Sequence, residues 1–191
     1  MMRRLLLSTA LLLAAGLARP AAAQEETRLV AALRGGLGGY TGDLAPVTSP
    51  GLEWGVQAIV QPADSLLGAE AAYEGARNGL QGRDGAVVRN GIQGLARLYT
   101  TTNREASPRP YVAGGLGLGF IFPTGAPEIV SGTDTVIELP LAAGLEWLQG
   151  PFVAGVRASF TPFFGESFAD DLGVGGEGGY FGISGTIGGS F

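Results

Sequence analysis

Three residue types are missing from this 191-residue chain: cysteine, histidine and lysine. Without cysteine there is no disulfide framework, so stability has to come from packing or backbone pairing. Without histidine, Ser–His triads, Asp–His dyads and His-ligated metals all disappear together. Without lysine, all 12 positive charges are arginine, set against 17 acidic residues and gathered in no basic patch. Such a chain is a poor partner for nucleic acid. Helical periodicity is absent as well: beyond residue 23 no stretch sustains it for more than a turn or two.

The N-terminus has the organisation of an export signal. Arg3 and Arg4 precede an apolar stretch from Leu5 to Ala18, and Ala21-Ala22-Ala23 offers a small-residue cleavage site before Gln24. The stretch is too short for a spanning helix. Residues 1–23 are therefore expected to be a signal peptide and residues 24–191 a single domain. Arg3, Arg4 and Arg19 leave with the peptide, so nine positive charges face 17 negative ones, a net of −8.

Glycine is abundant, at 34 residues, yet 46% of the chain is hydrophobic and the glycines alternate with large apolar residues. The dominant period is two, the period of a strand. Eight alternating runs can be drawn: Arg28 to Tyr40, Leu52 to Gln61, Leu66 to Gly75, Val88 to Thr100, Tyr111 to Phe122, Thr135 to Leu148, Phe152 to Thr161 and Gly179 to Phe191. The second run is the clearest, with Leu52, Trp54, Val56, Ala58 and Val60 opposite Glu53, Gly55, Gln57 and Gln61, and Ile59 as the exception. Pro140 lies inside the sixth run and predicts a local break in its ladder. The runs approach the 9–11 residues of a tilted membrane-spanning strand and exceed the usual 5–6 of soluble strands. A closed barrel removes their edges without a second layer.

The charges within the runs are Arg34, Glu53, Glu70, Glu74, Arg89, Arg97, Glu138, Glu146 and Arg157, all on the face opposite the large apolar residues. That face is rich in Gly and Ala, as a narrow interior holding Arg and Glu would be. The apolar face carries almost no charge, where a water-facing surface would carry about 25–35%. The barrel is therefore expected to be apolar outside. Aromatics gather near run ends: Tyr40, Trp54, Tyr73, Phe120, Phe122, Phe160 and Phe163 toward one rim, and Tyr99, Tyr111, Trp147, Phe152 and Phe191 toward the other. These are expected to form two interfacial girdles. The joints 41–51, 76–87, 123–134 and 165–178 look long, 62–65 and 149–151 tight, and 101–110 intermediate.

The chain ends Tyr180-Phe-Gly-Ile-Ser-Gly-Thr-Ile-Gly-Gly-Ser-Phe191. A terminal Phe191 with Ile187, Ile183 and Phe181 on alternate positions behind it resembles the C-terminal signature that outer-membrane proteins present to the barrel assembly machinery. Gly185 and Gly189 stand where a bulky residue is more usual. With the signal peptide and the eight runs, the whole mature chain resembles the eight-stranded outer-membrane β-barrels, the OmpA/OmpX/OmpW-like class. The resemblance implies an all-β, eight-stranded antiparallel up-and-down transmembrane barrel in the Gram-negative outer membrane, a monomer surrounded by outer-membrane lipid. No peptidoglycan-binding domain is expected to follow it.

The nine interior charges are expected to be a structural network, since buried charges must be paired and Arg suits bidentate Glu. The competing reading is a narrow ion path gated by those pairs. Glu166, Asp170, Asp171 and Glu177 read as a solvated acidic loop; as a Ca²⁺ loop their spacing matches no EF-hand. The run Gly114, Gly115, Gly117, Gly119 lacks the following helix that a nucleotide-binding loop requires. No catalytic residue, cofactor or metal is expected; barrel proteases, phospholipases and lipid-A acyl-modifying enzymes depend on a catalytic histidine. A structural or surface-interaction role comes first. A small pore or transporter for ions or hydrophobic molecules is the alternative, and a soluble periplasmic lipocalin-like barrel a further one.

Overall fold

The computed structural model describes residues 27–82, 84–103, 107–125, 134–164 and 178–191. The strands are β1 (Thr27–Gly42), β2 (Gly51–Pro62), β3 (Leu67–Gly79), β4 (Ala86–Tyr99), β5 (Arg109–Thr124), β6 (Asp134–Glu138), β7 (Leu141–Gln149), β8 (Phe152–Phe164) and β9 (Gly178–Ser190). All pairings are antiparallel and join neighbours in sequence, except that β6 and β7 both pair with β5 and with β8 and that β1 pairs with β9, so the sheet closes on itself. Phe191 completes that seam, its N–H donating to the Leu29 carbonyl at 2.8 Å.

β6 and β7 are one stave. Gly117 faces Glu138 and Gly114 faces Leu141 in a single register with β5, and the register with β8 is likewise kept across the gap. Proline has no N–H to give the ladder, so pairing lapses at Leu139-Pro140 without a slip. Carbonyls still serve there: Pro140 accepts from Gly115 N–H at 3.1 Å, and Leu139 N–H donates to Pro162 at 3.1 Å. The barrel therefore has eight staves.

The alternation decides which side faces out. Leu33, Leu37, Leu52, Leu116, Ile183 and Ile187 are each more than half exposed, whereas Arg89, Arg97, Arg109 and Glu138 are at most 1% exposed. Ile59, the exception in its run, points inward at 1%. A lipocalin-like barrel would show the reverse, so the soluble alternative is overturned by the apolar outer face.

Two expectations need correction. Tyr40, Phe163, Tyr99 and Tyr111 are not girdle residues; they are buried inside the barrel. Each shares parity with the charged residue of its own strand, Arg34, Arg157, Arg97 and Arg109 respectively, and strand geometry puts both on one face. The exposed outer aromatics are Trp54, Tyr73, Phe120, Phe160, Phe164 and Phe181 near one rim and Trp147, Phe152 and Phe191 near the other, and Phe122, on the outward parity of β5, is half-buried. The joint after β3 is also shorter than its sequence implies. β3 runs on through Ala76-Arg77-Asn78-Gly79, and only 80–85 turn, less chain than the 100–108 joint of the opposite rim. The strand persists because Asn78 turns inward, 0% exposed, and its amide donates to the Gly38 and Ser49 carbonyls at 2.9 Å each.

Candidate functional site: the charged lumen and its two mouths

Strand parity brings all nine predicted charges inward, and the structure adds two that the sequence reading missed, Arg28 and Arg109. The lumen holds Arg28, Arg34, Arg89, Arg97, Arg109 and Arg157 against Glu53, Glu70, Glu74, Glu138 and Glu146. Arg109 stands two residues before the drawn run and Arg28 at the first residue of its own; extending each parity outward finds both.

The charges form two groups. In the first, Glu138 accepts a bidentate pair from Arg89, Nε at 2.6 Å and Nη2 at 2.7 Å. The Gln93 amide donates to Glu138 and to Glu74, both at 3.1 Å. Glu74 also pairs with Arg34 and lies 3.7 Å from Arg89. Glycine makes room for this group. A Cβ at Gly91 or Gly117 would stand 3.1 or 3.3 Å from the Glu138 carboxylate, and one at Gly119 would overlap it. The Gly-X-Gly alternation of β5 is thus space reserved for a buried carboxylate.

In the second group, Glu70 accepts from Arg97 Nε at 2.5 Å and from Arg157 Nη1 at 2.8 Å. Glu146 sits 3.5 Å from Arg97, 3.5 Å from Arg28 and 3.7 Å from Arg109, and Arg109 donates to Gln61 at 3.0 Å. The inward tyrosines cover the guanidinium planes: Arg97 lies 4.0 Å from the Tyr111 centroid and Arg109 4.3 Å from that of Tyr99. Tyr111 in turn overlies Gly144, its register partner, where a Cβ would come within 2.6 Å of the ring. Glu53, half-buried, forms no ion pair among the described residues.

Apolar clusters close the lumen beyond the first group and interleave with the second. At the terminal rim, where β1 begins and β9 ends, Val30, Ile59 and Val153 pack together beside a second cluster of Leu95, Tyr99 and Tyr111. At the opposite rim Tyr40, Val87, Ile121, Val136, Phe163 and Tyr180 fill the bore. The joint 43–50 folds over them: Leu44 is buried at 1%, and a short 3₁₀ turn at Ala45–Val47 follows it. Gln81 ties this joint to the next, its amide donating to the Thr48 carbonyl and its N–H to that of Val47, both at 2.9 Å.

Phe181, Ile183, Ile187 and Phe191 all face outward on β9 and its continuation. Residues 1–23 and the acidic set Glu166, Asp170, Asp171 and Glu177 lie outside the described residues. Among the described residues no group of three or more His, Cys, Asp or Glu is placed to hold a metal ion.

No protein-family model matches the sequence, and no curated protein matches it. Solved structures do match in shape. Neisserial surface protein A superposes with a TM-score of 0.64 at 14% identity, covering 86% of this chain and 97% of that one. Ail, the attachment invasion locus protein of Yersinia pestis, gives 0.57 at 12% identity, covering 87% and 99%. The N-terminal β-barrel domain of Pseudomonas aeruginosa OprF gives 0.54 at 18% identity, covering 87% and 98%. The fold is that of the eight-stranded outer-membrane β-barrels.

Proposed function

We propose that this chain is an exported outer-membrane barrel that does not conduct, and that acts at its rims as a structural or surface-interaction protein. The carrying observation is the lumen: among the described residues its charges other than Glu53 are paired with one another, apolar side chains stopper the end opposite the termini, and apolar side chains interleaved with the Arg–Glu pairs fill the other. A path for ions needs continuous water, and the bore is filled with Arg–Glu pairs, tyrosine rings and the Leu44 plug. The exposed apolar belt has no soluble use of this extent and matches what a spanning barrel shows to lipid.

Several further assignments follow from the same reading. Residues 1–23 are the export signal. The eleven lumen charges hold the staves together, the role proposed here for the nine that the sequence singles out. Phe191, Ile187, Ile183 and Phe181 form the outward stripe read by the assembly machinery, which their exposure on the seam strand supports. With the start of β1 and the end of β9 at one rim, that rim faces the periplasm and the four opposite joints face the outside. Specificity then resides in those joints, and the function is non-enzymatic.

Two measurements test the reading. Cell fractions should place the protein in the outer membrane with faster gel mobility unboiled than boiled. Purified, folded protein added to planar bilayers should give no stepwise conductance. Steady current steps would overturn the sealed lumen in favour of a gated ion path.

A further inference from the structure

Among the described residues of the eight staves, one charged side chain faces outward: Arg77. It stands near the end of β3, at the rim opposite the chain termini, with Leu52 and Val88 as its register partners. It is exposed, and it belongs to none of the ion pairs that hold the other strand arginines. Two positions closer to the barrel's middle, Gly75 pairs with Trp54, whose ring lies where a Gly75 Cβ would be. The neighbouring surface is amphipathic: the Tyr73 hydroxyl bonds the Asn90 side chain at 2.5 Å, and both residues reach the outer face.

An unpaired guanidinium has no favourable place in hydrocarbon. At the edge of an apolar belt, beside an indole, its stem lies along lipid while its head reaches the headgroup layer. The guanidinium fork matches a phosphate. We infer that Arg77, with Trp54 beneath it, binds the phosphate of an anionic membrane lipid. The assigned source is a phosphorylated glycolipid of the outward leaflet, because a phosphomonoester carries nearly two charges and Arg77 lies at the outward rim. This rests on the spanning orientation proposed above.

Trp54 reports on the site once the other tryptophan is removed. The Trp147→Phe protein is folded into phosphatidylcholine vesicles containing trace dansyl-labelled lipid, and energy transfer from Trp54 is titrated. Labelled diphosphorylated glucosamine lipid should reach half-maximal transfer at a mole fraction about fivefold lower than labelled phosphatidylcholine. Arg77→Gln should erase that advantage and Arg77→Lys should keep part of it. An advantage untouched by Arg77→Gln would overturn the site. Equal enrichment of labelled phosphatidylglycerol would overturn the glycolipid as its source. Heat-modifiable mobility is read on the same vesicles. A parent without the shift overturns the spanning reading and this inference with it, whereas a shifted parent with an inert Arg77→Gln overturns this inference alone.

Discussion

Glu138 shows how single residues set the interior. It is fully buried, receives both prongs of Arg89 and the Gln93 amide, and sits where three glycines leave room. Removing one member of a buried pair strands the other charge, at a cost of about 3–5 kcal/mol. Glu138→Ala should therefore lower the unfolding free energy in urea-titrated vesicles by about that amount. Replacing both partners, Glu138→Met with Arg89→Leu, should recover most of it; equal stability of the single variant and parent would show that Glu74 alone satisfies Arg89. The charged interior is legible in the sequence because parity is a strict rule and nine charges obey it. Arg109 escapes because it stands two residues before its run begins, and Arg28 because it opens its run, where no earlier residue marks a face. The tyrosines mislead for another reason: an aromatic near a strand end suits a lipid interface and a guanidinium stack equally well, and only the parity of Tyr99 with Arg97, or Tyr111 with Arg109, separates the two.

At the scale of elements, the strands were readable from period two and the turns much less so. Pro140 announces its own gap, because a missing N–H is a local fact of chemistry. The end of β3 does not: Ala76-Arg77-Asn78-Gly79 has the composition of a turn, and it stays extended only because the Asn78 amide finds two carbonyls across the barrel mouth. That amide also holds the 43–50 joint over the lumen. Asn78→Ala would leave the Gly38 and Ser49 carbonyls without this donor, costing about 1–3 kcal/mol locally. The staves need not open. Limited proteolysis of the folded protein should then cut within residues 43–50 faster in Asn78→Ala than in the parent, with heat-modifiable mobility unchanged. Equal cleavage rates would mean that Gln81 and Leu44 alone keep the joint closed.

For the whole molecule, the fold was legible because one constraint governs every stave. In lipid each backbone N–H and C=O must be paired within the sheet, so alternating runs with no helix and no disulfide point to a closed barrel. The same constraint places the two tryptophans. Trp54 lies on β2 near the rim opposite the termini and Trp147 on β7 near the terminal rim, each about two-fifths exposed. A spanning barrel holds both at shallow depth, in opposite leaflets. The single-tryptophan variants Trp54→Phe and Trp147→Phe, folded into vesicles of brominated lipid, should each be quenched more by bromines near the headgroup than by bromines near the bilayer centre. A barrel resting on one surface would expose only one tryptophan to quenching, and a water-soluble barrel neither. Equal, shallow quenching of both is what the distance between the two aromatic groups demands, and it would fix the membrane position on which the Arg77 site depends.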